Sequence, residues 1–347
     1  MELTPEQTSR APAAIARMSD KSGGATVTLG DALELYHEWP APVAIVVDGP
    51  YGVSGYPGDP PDHRTLASWY RPHAQAWFEH ATPLTTLWFW CTEIGWAASH
   101  QAIEEAGWEY VGCNIWDKGI AHVAGNCNTK TLRKFPVVTE VCAQYVKPAT
   151  FDVNSRRLSM KEWLRWEWLR TGLPLYRTNE AAGVKNAATR KWFTQCHLWY
   201  FPPPEAMQRI VGYANEHGKP FGRPYFSLDG KRSVTADEWS RMRSRFDLQA
   251  LGEWQRGQGL TNVWQEPALR NSERIRLDRS LGHPNQKPLE LISRLIRVST
   301  SPGEVVWEPF GGLCTTAVAA AKLARRCFSA EILPGYYDVA CKRLKST

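Results

Sequence analysis

The sequence predicts an α/β protein in which both ends of the chain build one mixed sheet, with a separate module inserted between them. Three observations support this. Short apolar, β-rich runs alternate with helix-spaced stretches over the first 150 residues, the pattern that lays helices on a sheet. The same alternation resumes after residue 282. The intervening stretch, 151–282, has another texture: tryptophans at 163, 166, 168, 192 and 199, the break Pro202-Pro203-Pro204, and 22 Lys and Arg against 14 Asp and Glu.

Taken in order, residues 1–24 mix acids, bases and small residues without the apolar stretch of a secretory signal, and read as a flexible lead-in. Residues 25–150 form the first half of the sheet domain. Ala25 to Leu29, Val43 to Val47, Thr85 to Cys91 and Tyr110 to Trp116 are the strand candidates, and Trp69 to His80 and Gly95 to Ala106 the helices between them. The second half occupies 283–347. Pro288 to Thr300 carries Leu291, Ile292, Leu295 and Ile296 at helical spacing, Glu304 to Trp307 is a short strand, Thr315 to Leu323 is an Ala-rich helix, and Tyr336 to Leu344 is a last helix.

Composition narrows the function. With 347 residues, 43% hydrophobic and 22% charged, the chain can bury a large core, and it contains no run of eighteen apolar residues that would span a bilayer. Eight cysteines without a CxxC pair signal neither zinc nor a disulfide framework, which suits a reducing cytoplasm. No ligand spacing surrounds His197 or His217, so no metal is expected. The net charge of +6 is uneven, since 151–282 carries +8 and the rest −2. That is the footprint of a polyanion-binding surface, although a solvated Arg-rich face has the same composition.

The run Val43 to Val47 delivers Asp48-Gly49-Pro50-Tyr51 at its carboxyl end, where open α/β sheets place their sites. Asp-Gly is also a common hairpin turn, but the following Pro50 cannot donate to a hairpin ladder. Asp48-Gly49-Pro50-Tyr51 resembles the Asp-Pro-Pro-Tyr signature of amino-nitrogen DNA methyltransferases. The resemblance extends to Thr28 to Leu33, Trp88 to Cys91 and Asn114 to Lys118, then to Gly282-His283-Pro284-Asn285-Gln286-Lys287-Pro288, Trp307 to Thr316 and Ser329 to Tyr337. The catalytic tetrapeptide precedes the cofactor loop, and the dissimilar module lies between them. This order is similar to the β class of the family, in which the insertion is the target recognition domain.

What the resemblance implies is specific. The fold would be the Rossmann-like mixed sheet of S-adenosylmethionine-dependent methyltransferases, with helices on both faces. The reaction would be methyl transfer from S-adenosylmethionine to the exocyclic amino nitrogen of a flipped base, adenine N6 in preference to cytosine N4 because aspartate opens the tetrapeptide. That nitrogen is a poor nucleophile, its lone pair being delocalised into the ring. A carboxylate at Asp48 and the Gly49 carbonyl can accept from the amino hydrogens and turn the lone pair toward the methyl donor. Pro50 would stiffen the turn and Tyr51 stack on the base, which must leave the duplex. The loop Glu308 to Thr316, with Phe310, Gly312 and Thr315, would wrap the methionine portion of the cofactor. Glu331 would bind the ribose hydroxyls, Asp31 would lie near the adenine ring, and Asn285, Gln286 and Lys287 would line the methionine end. Taken singly, Glu331 also reads as a strand-end carboxylate, Asp31 as a helix N-cap and Lys287 as a surface charge.

The implied partners are double-stranded DNA, a second copy in a homodimer and a cognate restriction enzyme, in a bacterial, archaeal or phage-encoded cytoplasmic setting. The sequence departs from the family pattern at Gly49, where proline is usual, at Glu308, where aspartate is usual, and at Leu313-Cys314, which replaces a small residue and a glycine. Trp163, Trp166 and Trp168 with Arg165 and Arg170 fit base stacking and phosphate contact, or a helix core. Methylation of RNA or of a protein glutamine, and a DNA-binding relative without catalysis, are the rival readings.

Overall fold

The computed structural model describes residues 16–19, 24–54, 59–122, 133, 135–148, 150–153, 156–185, 187–220, 222–240, 243, 261–269, 274–277, 280–281 and 285–347. The contacts divide the chain into two compact units, one made of 1–147 with 251–347 and one of 148–250.

The first unit holds a nine-stranded mixed sheet. Its strands are β1 (Ala16–Ser19), β2 (Ala25–Leu29), β3 (Ala44–Val47), β4 (Thr86–Cys91), β5 (Glu109–Asp117), β6 (Thr139–Val146), β9 (Val263–Gln265), β12 (Val305–Glu308) and β13 (Arg326–Glu331). Here β7 (Thr150–Val153) and β8 (Arg156–Ser159) form a separate hairpin, and β10 (Arg276–Leu277) and β11 (Ser280–Leu281) a short two-stranded ladder. The sheet order is β1-β2-β13-β12-β3-β4-β6-β5-β9. The central strands β2, β13, β12, β3 and β4 are mutually parallel, whereas β6 runs antiparallel to both β4 and β5. β3 (AIVV) and β4 (TLWFWC) are buried along their whole length, as expected of strands covered on both faces.

Between β3 and β4 the chain forms α2 (Leu66–His80), and α3 (Glu93–Glu105) follows β4 with Thr92 capping its first turn. After β2 comes the single-turn α1 (Ala32–Leu35). Helices α8 (Leu289–Ser299), α9 (Thr315–Lys322) and α10 (Pro334–Lys345) surround the C-terminal strands. From β3 the chain steps outward to β4, while from β12 it steps the opposite way to β13. Parallel crossovers are right-handed, so α2 and α9 fall on opposite faces of the sheet. The boundary between β12 and β3 is therefore a topological switch point, with a crevice at the carboxyl ends of the two strands.

The second unit packs α4 (Met160–Thr171), α5 (Leu175–Ala182), α6 (Ala188–Phe193) and α7 (Pro204–His217) around Trp163, Trp192, Phe193, Phe226 and Trp239. A Ser159/Glu162 capping box starts α4, and left-handed Gly172 ends it. Trp163 is fully buried in this core, so of the two readings of the tryptophan cluster it takes the helix-core one. Arg170 is likewise engaged inside the unit: it pairs with buried Glu167 at 2.6 Å, and Arg223 pairs with the other Glu167 oxygen at 2.7 Å.

Two expected boundaries are corrected. The module ends at 250 rather than 282, because Val263–Gln265 joins the large sheet as an edge strand beside β5. Ala16–Ser19, placed in the flexible lead-in, pairs antiparallel with β2 from Ala16↔Leu29 to Ser19↔Thr26; residues 1–15 and 20–23 lie outside the described residues. Among the described residues no helix is long and apolar enough to cross a membrane, and no group of three His, Cys, Asp or Glu could hold a metal.

Candidate active site

Asp48 follows β3 directly, and Glu308 ends β12, so the two stand on either side of the switch point. A cleft opens there, lined by Asp48, Asn285, Gln286, Lys287, Glu308, Phe310, Gly312 and Thr315 among others. Eight residues expected at the site from the sequence thus line one cavity.

Asp48-Gly49 is not a hairpin turn. β3 is flanked by parallel strands, and Gly49 does not take the positive φ that a type I′ turn requires. The glycine answers to packing. A Cβ at Gly49 would meet Phe310 Cδ2 at 2.5 Å and the Tyr70 hydroxyl at 2.6 Å. The same Tyr70 hydroxyl donates to the Pro50 carbonyl at 2.9 Å and fixes the turn.

Asp48 Oδ1 accepts from Lys287 Nζ at 2.7 Å and from the Tyr51 hydroxyl at 3.0 Å. Among the described residues no hydrogen bond is made to Asp48 Oδ2, and the side chain, 25% exposed, lines the cleft. Lys287 is not the surface charge that it resembles in isolation. Its ammonium is buried, bonds the Tyr51 hydroxyl at 2.9 Å, pairs with Glu140 at 3.3 Å, and lies near the rings of Tyr51, Trp90 and Trp116. Burial pulls its pKa down, but Asp48 and Glu140 outweigh burial and hold it above the ordinary lysine value. Tyr51 is itself buried, and burial together with Asp48 and Glu140 pushes its hydroxyl well above the ordinary range, so it stays protonated.

Two members of this cluster, Glu140 and Lys118, carry no sequence signature of a site residue. Glu140, on β6, accepts from the Tyr51 hydroxyl at 3.1 Å and pairs with Lys118 at 2.5 Å. The amide of Asn285, turned so that both its ends are paired, donates to Glu140 at 3.2 Å and accepts from Lys287 at 3.1 Å. Burial pushes Glu140 up, but Lys287 and Lys118 outweigh it and leave the carboxyl below the ordinary range. The one sequence signal was an acid inside the apolar run Val137 to Val146.

On the cofactor side, Glu308 is buried at the foot of α9. It accepts from Thr316 N at 2.7 Å, Ala317 N at 3.2 Å and the Ser329 hydroxyl at 2.8 Å. It acts as an N-cap from a distance, and burial nevertheless pushes its pKa to about 7. Cys314, where a glycine was the family expectation, holds a left-handed φ of 52°. Glu331 ends β13, and its two oxygens accept from Gly312 N at 2.6 Å and Leu333 N at 2.7 Å. Burial pushes Glu331 to about 7 as well. Asp31 caps α1 by accepting from Leu33 N at 2.9 Å, one turn beyond Leu29, which is in register with Glu331. Neither Asp31 nor Glu331 lines the cleft itself; Glu331 meets it through Gly312, which does. Gln286 accepts from Ile275 N at 3.0 Å, and Gly282, His283 and Pro284 lie outside the described residues.

These residues fit a cofactor with vicinal hydroxyls and a polar tail. Each Glu331 oxygen keeps a lone pair for a hydroxyl, and the left-handed Gly312 brings the loop backbone against that carboxylate.

Among known proteins, the DNA adenine methyltransferase YhdJ of Escherichia coli (strain K12) is 36% identical over 83 residues, 24% of this chain and 27% of that protein. The Type II methyltransferase M2.DpnII of Streptococcus pneumoniae is 32% identical over 110 residues, 32% of this chain and 39% of that protein. The matched stretches therefore span less than half the length of either relative. The solved PvuII DNA methyltransferase (cytosine-N4-specific) aligns over 92% of this chain and 86% of its own at 13% identity, with a TM-score of 0.47. The model of the DNA methylase family N6_N4_Mtase matches residues 43–342, from β3 through α10, and the chain belongs to that family.

Proposed function

We propose that the protein is an S-adenosylmethionine-dependent DNA methyltransferase that methylates the exocyclic amino nitrogen of a flipped base, adenine N6. The observation that carries this reading is the placement of Asp48. Its Oδ1 is fixed by Lys287 and Tyr51, and its side chain lines a cleft shared with the Glu308–Thr316 loop at the switch point. Family membership and the adenine-methylating relative support the acceptor.

S-adenosylmethionine, when bound, supplies the electrophilic methyl group. The chain does the rest by positioning. Glu331 accepts the ribose hydroxyls, Asp31 stands at the neighbouring strand end for the adenine, and Asn285, Gln286, Phe310, Gly312 and Thr315 enclose the methionine end. Asp48 Oδ2 and the Gly49 carbonyl accept the two amino hydrogens, which lifts the nitrogen lone pair out of conjugation and aims it along the transfer axis. A preorganised carboxylate in a partly dry cleft does this without reorganising at the moment of reaction. Pro50 holds the turn, and Tyr51 borders the base.

Double-stranded DNA is the partner this reading requires, with the basic module as the target recognition domain and the cytoplasm as the setting. The Type II relative supports a restriction–modification role with a cognate restriction enzyme. Unmethylated DNA incubated with methyl-labelled S-adenosylmethionine, digested to nucleosides and analysed by mass spectrometry, is expected to yield N6-methyl-2′-deoxyadenosine from the wild type and none from Asp48→Ala. A folded Asp48→Ala variant that methylates at the wild-type rate would refute the assignment, and N4-methylcytosine would move the acceptor to cytosine.

A further inference from the structure

We propose that Glu140, with Lys118 behind it, is a positioning residue that shares Lys287 and Tyr51 with Asp48 and so leaves Asp48 Oδ2 directed at the substrate amino group. The role rests on the reading of Asp48 given above.

Four atoms form a closed ring: Asp48 Oδ1, Lys287 Nζ, Glu140 Oε2 and the Tyr51 hydroxyl, with successive separations of 2.7, 3.3, 3.1 and 3.0 Å. The ammonium and the hydroxyl thus stand between two carboxylates. One positive charge is divided between Asp48 and Glu140, and the single hydroxyl hydrogen of Tyr51 has an acceptor on either side. Every vertex except Asp48 is buried. On its far side Glu140 Oε1 is held by Lys118 at 2.5 Å and by the Asn285 amide at 3.2 Å, so Glu140 itself has little freedom.

Without the Glu140 charge, Lys287 and Tyr51 would both turn fully to Asp48. A carboxylate neutralised by a dedicated ammonium and a dedicated hydroxyl is a weaker acceptor for the amino hydrogens that it must polarise. The carboxylate would also be free to rotate about its Cβ–Cγ bond with the ammonium following, since the counterweight on the other side of the ring is gone. Glu140 lines no part of the cavity that takes the cofactor, and an isosteric amide in its place keeps an acceptor for the Asn285 amide, so the effect of removing its charge falls on the chemical step.

The experiment compares single-turnover methyl transfer by wild type, Glu140→Gln, Glu140→Asp and Lys118→Met at saturating DNA and S-adenosylmethionine, with calorimetric binding of S-adenosylmethionine and thermal unfolding on the same preparations. Glu140→Gln, isosteric and uncharged, is expected to slow transfer at least tenfold while the cofactor Kd stays within about threefold. Glu140→Asp, which keeps the charge, is expected to recover a measurable part of the rate, and Lys118→Met to lose less than Glu140→Gln. The role is overturned if Glu140→Gln transfers at the wild-type rate, if its defect lies wholly in the cofactor Kd or DNA KM, or if Glu140→Asp is no faster than Glu140→Gln. Should Glu140→Gln fail to fold, Glu140→Asp against Lys118→Met still decides, because a purely structural role gives both variants a rate loss that tracks unfolding temperature. A wild type that transfers no methyl group to DNA would remove the underlying reading instead, an outcome seen before any variant is compared.

Discussion

Substituting Gly49 by alanine tests whether packing alone selects the glycine in the Asp48–Tyr51 turn. The added Cβ would lie 2.5 Å from Phe310 Cδ2, 2.9 Å from Phe310 Cε2 and 2.6 Å from the Tyr70 hydroxyl, all inside van der Waals contact. The backbone is not the obstacle, since Gly49 is not among the glycines with positive φ. Phe310 has little room to yield, because Trp69, Tyr70, His73 and Trp77 surround it with ring centroids at 5.4, 6.2, 5.0 and 6.3 Å. Moving Tyr70 instead breaks its 2.9 Å bond to the Pro50 carbonyl. Overpacking of this kind costs about 1–3 kcal/mol, which for a domain of this size lowers Tm by roughly 2–12 °C. Thermal unfolding and single-turnover methylation measure the effect, and Phe310→Leu in the same chain should return part of the loss as a positive coupling energy of about 1 kcal/mol. Wild-type stability and rate in Gly49→Ala would refute the steric account, as would strict additivity with Phe310→Leu.

Three further outcomes are expected. S-adenosylmethionine affinity should weaken as pH falls from 8 to 6, because Glu331, pushed to about 7 by burial, takes up a proton and loses the acceptor proposed for the ribose hydroxyls; calorimetry should show that dependence flattened in Glu331→Gln. For the free protein the sign is opposite: a carboxyl raised from 4.5 to about 7 contributes stability that is fully present below 4.5 and is lost as pH rises through 7, so Glu308 and Glu331 make the unliganded fold less stable at pH 8 than at pH 5 by up to about 3 kcal/mol each, visible as a fall in Tm. In the inserted unit, Glu167→Ala leaves Arg170 and Arg223 without their shared buried carboxylate and should cost about 3–5 kcal/mol by denaturant unfolding, whereas exposed Glu216→Ala should cost under about 0.5 kcal/mol.

The central strands β3, β4 and β12 are legible because burial on both faces leaves continuous apolar runs, and β2 and β5 also fall within a residue or two of their expected spans. β6 was not recognised. Its sequence TEVCAQYV places Glu140 and Gln144 in the interior, and buried polar residues break the pattern that marks a central strand. β9, three residues long and detached from its sheet by the inserted unit, carries no periodicity to read, which is why the module was extended to 282. In the site, the tetrapeptide and the cofactor loop announce themselves as contiguous segments. Glu140 does not, since its partners Tyr51 and Lys287 stand 89 and 147 residues away in the chain and only the sheet order brings them together. Asp31 shows the converse: its neighbours allow a cap or a ligand contact, and the structure shows the cap.

The sheet order has a consequence for synthesis. β3 emerges early, yet its neighbour β12 begins about 260 residues later, and β2 waits still longer for β13. At roughly 5–20 residues per second, that delay is on the order of 10–50 s. During it the nascent chain carries fully apolar strands with open hydrogen-bonding edges, which invite aggregation. The inserted unit is contiguous in sequence and finishes emerging well before β12, so it can fold while the surrounding sheet is still incomplete. Slowed elongation between residues 250 and 305, or loss of the last strands through a premature stop, should therefore leave a folded insertion joined to an unfinished sheet that chaperones must hold.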